Sequence, residues 1–267
     1  MTLSIAYRYL GVVPYRTALR LQETLVEHRL QARRENAQHT HWEQDVVLLL
    51  QHPPTYTTGT RRFALRTTLP ADADATAERA RLATLGAEYV ETRRGGQITF
   101  HGPGQLVGYP LLDLRAHQLG VRDYVCRLER TIINACAHYQ LSANTTDDTG
   151  VWIGDKKIAA LGIQVRRYLT SHGFALNCNT DLSWFSHIIP CGLRNKGVTS
   201  ITQALAEQQV NAPAVHVTDA LPTVVDAMGQ TFGCRMVPLE QACPALATSM
   251  DALLQEARID ARIHSDN

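Results

Sequence analysis

Two residue types in this 267-residue chain could together perform covalent catalysis: a cysteine at position 191 and a lysine at position 157. Cys191 lies between Pro190 and Gly192, a pattern that predicts a turn and therefore access to a ligand above it. The thiolate is the reactive form of cysteine, and nearby cations favour it. The alternative is a small buried apolar cysteine, which is the commoner role of this residue.

Lys157 opens the segment 157–166, whose composition predicts a β-strand. On a strand, its side chain would share one face with four apolar residues, namely Ala159, Leu161, Ile163 and Val165. Because burial disfavours the charged form of an amine, a lysine in such a place can act as a base. The alternative is a strand-end lysine whose ammonium reaches water, and we interpret Lys156 in that way.

A glycine-rich segment, residues 93–113, is a third candidate. Its five glycines interrupt a strand-like sequence, which predicts tight bends or a ligand lying against the backbone. Pro103 and Pro110 each remove a backbone donor and therefore predict an edge strand or a loop. His101 with the flanking Arg93 and Arg94 could surround a small substrate that has a polar end. A glycine-rich surface hairpin is the alternative.

Strands and helices alternate along the chain and must position these residues. Apolar runs predict strands at 5–13, 46–50, 150–153, 157–166 and 173–178. Helical spacing predicts helices at 14–26, 72–85, 124–139, 200–208 and 217–228, the fourth capped by Thr199 or Ser200 and the last kinked or begun at Pro222. Residues 154–156 are predicted to form a hairpin turn. Residues 31–45 are predicted to be an exposed helix end and loop, 55–62 a loop, and 184–196 irregular.

These elements predict an α/β or α+β fold in one domain over residues 1–267. Its core would span about 5–240, with a polar insertion at 31–45 and a C-terminal tail after about 249 that is helical before it frays. Hydrophobic residues at 45% and charged residues at 19% are typical of a soluble globular protein.

The composition also argues against several classes of function. The formal charge of +1 argues against a dedicated nucleic-acid-binding protein, and no apolar run has the length of a membrane span. Six cysteines without a visible signal peptide favour a reducing compartment. Cys178, His187 and Cys191 lack the paired spacings of a zinc site, so we predict no metal. Fingerprints of nucleotide binding and of a serine nucleophile are absent from the sequence.

Five segments resemble the lipoyl(octanoyl) transferase family, the octanoyltransferases of lipoate biosynthesis. They occur in the family's order between about residues 7 and 205, at 52–57 (HPPTYT), 94–105 (RGGQITFHGPGQ), 157–162 (KIAALG), 172–177 (HGFALN) and 190–192 (PCG). The run at 181–185 (DLSWF) is more similar to eukaryotic members than to bacterial ones.

The resemblance implies a fold like the catalytic domain of biotin and lipoate protein ligases, a mixed sheet flanked by helices. It implies transfer of an octanoyl group from acyl carrier protein to a lysine of a lipoyl domain, with no cofactor. Cys191 would be the nucleophile that carries the acyl group as a thioester, and Lys157 would lower the pKa of Cys191 and handle protons. The acyl site would be lined by Arg94, Gly95, Gly96, Gln97, Ile98, Thr99, Phe100, His101, Ala160, Leu161, Gly162, Gly173, Phe174 and Ala175.

The resemblance also implies protein partners and a location. The acceptors would be lipoyl domains of 2-oxoacid dehydrogenase E2 subunits and the H protein of glycine cleavage. Acyl carrier proteins, the donors, are acidic. Five arginines could therefore form a basic rim that steers them toward the site: Arg61, Arg62, Arg93, Arg166 and Arg167. The expected location is mitochondrial, with the cytoplasm as the alternative.

Two other functions stay open at this point. An ATP-dependent lipoate or biotin ligase on the same fold would use the corresponding lysine but would not need Cys191. A non-catalytic protein that only binds lipoyl domains would be expected to lack Lys157 or Cys191, and both are present.

Overall fold

A computed structural model describes residues 3–35, 40–60, 73–188, 196–209 and 212–263. In the described residues the chain forms a mixed sheet of eight strands and a smaller sheet of three. The strands are β1 (Ser4–Val12), β2 (Val46–Gln51), β3 (Thr55–Thr58), β4 (Glu88–Glu91), β5 (Thr99–His101), β6 (Gln105–Leu111), β7 (Val151–Ile153), β8 (Lys156–Arg166), β9 (Leu169–Asn177), β10 (Gly197–Val198) and β11 (Arg235–Pro238).

Seven helices accompany the strands in the described part of the chain. They are α1 (Tyr15–Arg34), α2 (Ala73–Thr84), α3 (Val121–His138), α4 (Ile201–Gln208), α5 (Val217–Phe232), α6 (Leu239–Ala242) and α7 (Pro244–Ile263), with short 3₁₀ turns at His41–Glu43 and Leu182–His187. The large sheet has the strand order β10-β8-β9-β6-β2-β1-β11, and β7 pairs with β8. This arrangement of a mixed sheet and helices confirms the predicted fold class.

Alternation along the strands divides the core into two layers. In β2, Val47 and Leu49 point to one face, where they pack with α3 and α5. Leu48 and Leu50 point to the other face, where they pack with α1 and α7. Helices therefore cover both faces of the sheet, which explains why β2 is a continuous apolar run.

Pro110 departs from the sequence-based expectation. It lies in β6, which is an internal strand with β2 on one side and β9 on the other, so the predicted edge strand or loop is wrong here. The regular β6–β9 pairing ends at Gly108. Beyond it, the Thr170 hydroxyl donates to the Pro110 carbonyl over 2.7 Å. The β6–β9 hydrogen-bond ladder is therefore already interrupted at Pro110, where the chain has no backbone N–H to donate. Pro103 does lie in a turn, between β5 and β6.

Another loop prediction also needs correction. Residues 55–58 form β3, which pairs with β4 and β5, although a loop was predicted. The helix end predicted at the start of 31–45 is confirmed, because α1 continues to Arg34. Asp45 forms an ion pair of 2.6 Å with the buried Arg29, so the end of that segment is anchored rather than free. A buried guanidinium requires a partner of opposite charge. Asp45 is that partner, although it lies 16 positions further along the chain.

Several local predictions are confirmed by the structure. β7 and β8 form the hairpin around Gly154, which has the positive φ of +55° that a tight turn requires. The Ser200 side chain caps α4 by accepting from the Gln203 amide at 3.1 Å. α5 begins at Val217 and contains Pro222, so the alternative prediction that it begins at Pro222 is wrong. Among the helices the structure describes, none has both the length and the apolar composition of a membrane span.

Candidate active site

Lys157 is buried near the start of β8, with 7% of its surface exposed. Its Nζ atom donates to the Thr149 carbonyl over 3.0 Å and lies 4.7 Å from the centroid of the Trp152 ring. Gly150 passes so close that a Cβ there would lie 3.2 Å from the Cε atom of Lys157. The lysine is therefore enclosed by the segment before β7. Its neighbour Lys156, as predicted, lies near the surface and pairs with Glu207 at 2.7 Å.

Two cavities meet at this lysine. The first is narrow, about 40 Å³ counted as space open to the centre of a water molecule, and the second is wider, about 260 Å³. Both are lined by Gly96, Gln97, Lys157, Leu161 and Gly162. The wider cavity is also lined by Asp148 and Thr149, so it is more polar near the lysine. Lys157 is thus placed where two ligands could meet.

The floor of the narrow cavity is made of small residues on two paired strands. Ala160 of β8 lies opposite Ala175 of β9, and Gly162 lies opposite Gly173. A Cβ on Gly162 would lie 2.9 Å from the Gly95 carbonyl oxygen, which is closer than real contacts allow. The glycine at 162 therefore lets the segment above it approach the strand closely, which keeps the cavity narrow.

The roof of the narrow cavity is the glycine-rich segment, held by Arg94. This guanidinium is buried, and its Nη2 atom donates to the Thr57 carbonyl and hydroxyl, both at 2.8 Å, and to the Gln97 carbonyl at 3.0 Å. The Gly95 amide donates to the Ile163 carbonyl over 2.9 Å, which attaches the segment to β8. The segment is therefore a cavity wall and not a surface hairpin.

Aromatic rings with polar atoms line the end of the narrow cavity away from Lys157. They are contributed by Tyr15, His101, Tyr109 and His172. The Tyr15 and His101 rings stack, with centroids 5.7 Å apart. These four residues come from α1, β5, β6 and β9, so only the assembled fold brings them together.

Hydrogen bonds fix the protonation of His52, and burial lowers the pKa of both His52 and His172. His52 Nδ1 lies 2.7 Å from the Val13 carbonyl, which can only accept, so Nδ1 carries the proton. The Tyr109 hydroxyl therefore donates to His52 Nε2, over 2.8 Å. Burial lowers the pKa of His52 to about 4 and the pKa of His172 to about 3, in the latter case with help from the nearby Arg94 charge. Both rings are neutral at physiological pH.

His101 is fixed in the same way. Its Nδ1 atom lies 2.9 Å from Gln105 Oε1, and the Gln105 amide donates to Asn177 over 2.9 Å. Burial, reinforced by His52 and Arg94, holds the pKa of His101 well below its ordinary value. A neutral imidazole that donates from Nδ1 leaves Nε2 as an acceptor.

Known proteins provide the identification. The chain matches the family described as lipoyl protein ligase A/B catalytic domain over residues 14–225. It belongs to that family. It is 44% identical over 228 residues to the mitochondrial octanoyl-[acyl-carrier-protein]:protein N-octanoyltransferase of Danio rerio, covering 85% of this chain and 92% of the relative. It is 43% identical over 194 residues to the mitochondrial octanoyltransferase of Arabidopsis thaliana, covering 72% and 75%.

Solved structures support the family's fold. The crystal structure of lipoate-protein ligase A bound with ATP superimposes with a TM-score of 0.63 at 13% identity, covering 96% of this chain and 94% of that one. At this identity the similarity shows the fold alone. The predicted mixed sheet of the lipoate ligase type is thereby confirmed.

In this lipoyl protein ligase A/B family member, most of the predicted acyl-site residues do line the cavities. Twelve of them border one or both, namely Arg94, Gly95, Gly96, Gln97, Thr99, His101, Ala160, Leu161, Gly162, Gly173, Phe174 and Ala175. Ile98 and Phe100 do not. Phe100 points into a separate apolar cluster with Tyr56, and its ring stacks on Trp184 at 5.1 Å between centroids. Ile98 packs against the same cluster.

Sequence reasoning missed four residues that line the narrow cavity: Tyr15, Val107, Tyr109 and His172. His172 does open one of the matched segments, so its presence in the motif was a usable signal. Tyr15 and Tyr109 follow no motif that points to a ligand, because their place depends on the packing of α1 against β6.

Three of the predicted residues, Cys191, Arg61 and Arg62, lie outside the described residues. Of the other rim arginines, Arg93 and Arg167 are exposed. Arg166 is also exposed but pairs with Glu27 at 3.1 Å, which offsets its charge. The described part of the rim therefore offers less positive charge than its arginine count suggests.

Proposed function

We propose that this protein is an octanoyltransferase that moves an octanoyl group from octanoyl-acyl carrier protein to a lysine of a lipoyl domain. The single observation that carries the proposal is the position of Lys157, buried where a narrow cavity with a floor of small residues meets a wider polar one. The narrow cavity suits an unbranched acyl chain. The wider cavity would admit the thioester end of the donor and the lysine side chain of the acceptor.

The reaction would have two acyl-transfer steps. In the first, the Cys191 sulfur attacks the donor thioester; a new thioester forms on Cys191, and the donor thiol leaves with a proton. In the second, the acceptor lysine attacks this thioester; an amide forms, and the Cys191 thiol is regenerated. Because one thioester is exchanged for another in the first step, no ATP is consumed.

Lys157 would handle the proton in each step. A thiol with its ordinary pKa of ~8.5 is mostly protonated at neutral pH, and a neighbouring amine can take that proton and then stabilise the thiolate. The acceptor lysine must also lose a proton before it attacks, and Lys157 would serve as its base. The carbonyl of Thr149 and the ring of Trp152 support this role because they hold Nζ in a fixed position.

The protein partners follow from the same assignment. Acyl carrier protein is the donor, and proteins with lipoyl domains are the acceptors. We propose E2 subunits of 2-oxoacid dehydrogenases and the H protein of glycine cleavage as the specific acceptors. The names of the animal and plant relatives support the predicted mitochondrial location. We further propose that residues 1–267 form one catalytic domain, which is supported by the packing of α7 against α1.

The assignment can be tested with octanoyl-acyl carrier protein in the absence of ATP, followed by intact-mass measurement. We expect an octanoyl adduct on the enzyme that is lost when a lipoyl domain is added. Cys191→Ala should form no adduct. If the wild type transfers octanoate only with ATP, the chain is a ligase and the proposal is wrong.

The role of Lys157 needs a matched control, which Lys156 provides. Lys157→Ala should be acylated slowly, at a rate that rises as the pH approaches the pKa of an ordinary cysteine. It should also transfer the octanoyl group slowly from preformed acyl-enzyme to the lipoyl domain. Lys156→Ala removes a surface ion pair and should keep both rates within about twofold. Equal rates in the two variants would contradict the role of Lys157.

A further inference from the structure

The wider cavity beside Lys157 is lined by a carboxylate, that of Asp148. No other acidic side chain among the described residues lines either cavity. Asp148 directly precedes Thr149, whose carbonyl accepts from Lys157 Nζ over 3.0 Å. The carboxylate and the buried lysine therefore share one cavity and are joined through one short segment of backbone.

The backbone of Asp148 is fixed by its neighbours. Its amide donates to the Thr146 hydroxyl over 3.2 Å, and its carbonyl accepts from the indole N–H of Trp152 over 3.0 Å. Trp152 is itself buried, with 1% of its surface exposed. The carboxylate therefore extends into the cavity from a fixed support.

Lys196 uses part of the carboxylate's capacity. Its Nζ atom donates to Asp148 Oδ2 over 3.0 Å and lies 4.7 Å from the centroid of the Trp152 ring. The Asp148 side chain nevertheless keeps 38% of its surface exposed. Since a carboxylate has two oxygens that accept, Oδ1 can receive a hydrogen bond from a second cation.

The acceptor of the proposed transfer brings such a cation. A lysine side chain is an ammonium at neutral pH, and it must come close to Lys157, which is to take its proton. It would also approach the ammonium of Lys196, which repels it. A negative partner inside the cavity offsets this repulsion, and Asp148 is in the position to supply it.

We propose that Asp148 is a substrate-binding residue that receives the ammonium of the acceptor lysine. This inference rests on the proposed octanoyl transfer. The ammonium donates a charge-assisted hydrogen bond to Oδ1. It then gives one proton to Lys157, which passes it to solvent, and the neutral amine attacks the thioester. As the amide forms, the nitrogen's second proton goes to the Cys191 sulfur that leaves.

The charge of Asp148 predicts which kinetic constant depends on it. A carboxylate stabilises the ammonium and not the neutral amine, so it favours binding of the acceptor but not its deprotonation. Loss of the carboxylate should therefore raise the acceptor concentration that gives the half-maximal rate. The maximal rate of transfer should stay the same or increase.

Single-turnover transfer measures these two quantities. Octanoyl-enzyme is made with a small octanoyl thioester, and its loss is followed by intact mass at increasing concentrations of lipoyl domain. Asp148→Asn keeps the shape of the side chain and an oxygen for Lys196, and we expect it to raise the half-maximal concentration about fivefold. Asp147→Asn is the matched control: this neighbour is exposed and lines neither cavity, so the change should be less than about twofold.

Two further measurements separate recognition of the ammonium from a structural ion pair. Hydroxylamine is uncharged at neutral pH, so it should remove the octanoyl group from Asp148→Asn and from the wild type at equal rates. Lys196→Met leaves the carboxylate without its competing partner, so it should keep or lower the half-maximal concentration of lipoyl domain. Only folded enzyme forms the acyl-enzyme, so these rates do not depend on the folded fraction.

Three results would overturn the inference. A rise of less than about threefold in Asp148→Asn would mean that the carboxylate does not bind the acceptor. An equal rise in Lys196→Met would mean that the ion pair matters and not the free oxygen. Slower removal by hydroxylamine in Asp148→Asn would mean that the substitution disturbs the site as a whole. If the wild type forms no octanoyl-enzyme without ATP, the proposed function itself fails.

Discussion

The buried Arg94 should be one of the most important residues for the stability of the cavity roof. Replacing it with methionine leaves the carbonyls of Thr57 and Gln97 without their donor. Nη2 has two hydrogens for three acceptors, and Nη1 donates to the Gly95 carbonyl at 3.0 Å, so about three full hydrogen bonds are lost. At about 1.5 kcal/mol each, they contribute roughly 4.5 kcal/mol.

Part of this loss is recovered, because the variant no longer buries a charged group. We therefore expect Arg94→Met to lower the free energy of unfolding by about 3 kcal/mol. The neighbouring Arg93 is exposed and provides the control, and Arg93→Met should change it by less than about 0.5 kcal/mol. Arg94→Lys keeps the positive charge but not the planar guanidinium with its several donors. Its free energy of unfolding should therefore lie between those of Arg94→Met and Arg93→Met.

Urea unfolding followed by the fluorescence of the chain's three tryptophans would measure these differences. Octanoyl transfer measured on the same samples should fall in Arg94→Met even where the protein is folded, because the roof is no longer attached to β3. If Arg94→Met and Arg93→Met unfold at the same urea concentration, the guanidinium does not anchor the roof and the reasoning is refuted.

Three further outcomes are expected. Gly173→Ala should lower the free energy of unfolding by about 2 kcal/mol, because its Cβ would lie 2.6 Å from Pro110 Cδ, whereas Gly197→Ala, which meets only a flexible lysine, should change little in urea melts. The unfolded chain binds protons that His52 and His172 do not bind in the folded protein. The free energy of unfolding should therefore have its full value above pH 6.5 and decrease as the pH falls toward about 4 and 3, by up to ~1.4 kcal/mol per pH unit for each ring. Urea midpoints that stay flat between pH 6.5 and 5 would contradict this. Transfer from carrier protein should fall steeply with salt if an arginine rim steers it, whereas a small octanoyl thioester should be little affected, and equal salt dependence of the two rates would remove the rim from the mechanism.

Local sequence signals predicted the elements that depend on local physics. The hairpin at Gly154 and the cap at Ser200 follow from one residue's backbone freedom or one side-chain oxygen. Strand β3 was missed because four residues between two prolines and a glycine form a strand only when β4 and β5 pair with them. The internal position of Pro110 was also missed, since it depends on side chains of β9 and α1.

The candidate site shows the same division. Its glycines and Lys157 could be identified from their types and motifs, and the structure places them at the cavities. Phe100 belongs to the same motif but points the other way, because successive strand residues alternate between faces. Tyr15 reaches the cavity from α1, far away in the chain, and no local pattern could reveal that.

The pairing of β1 has a consequence for the order in which the protein folds. β1 is the first strand of the chain, yet one of its two neighbours is β11, where Ser4 lies opposite Arg235. A chain that emerges N-terminus first therefore keeps one edge of β1 open until nearly all of the sequence is available. Contacts so distant in sequence slow folding, and an open edge can pair with other chains. The strand that closes the edge has only four residues, and the helices that follow it, α6 and α7, pack against the sheet and α1. β11 and the helices that follow it are thus the segments that end the exposure of β1.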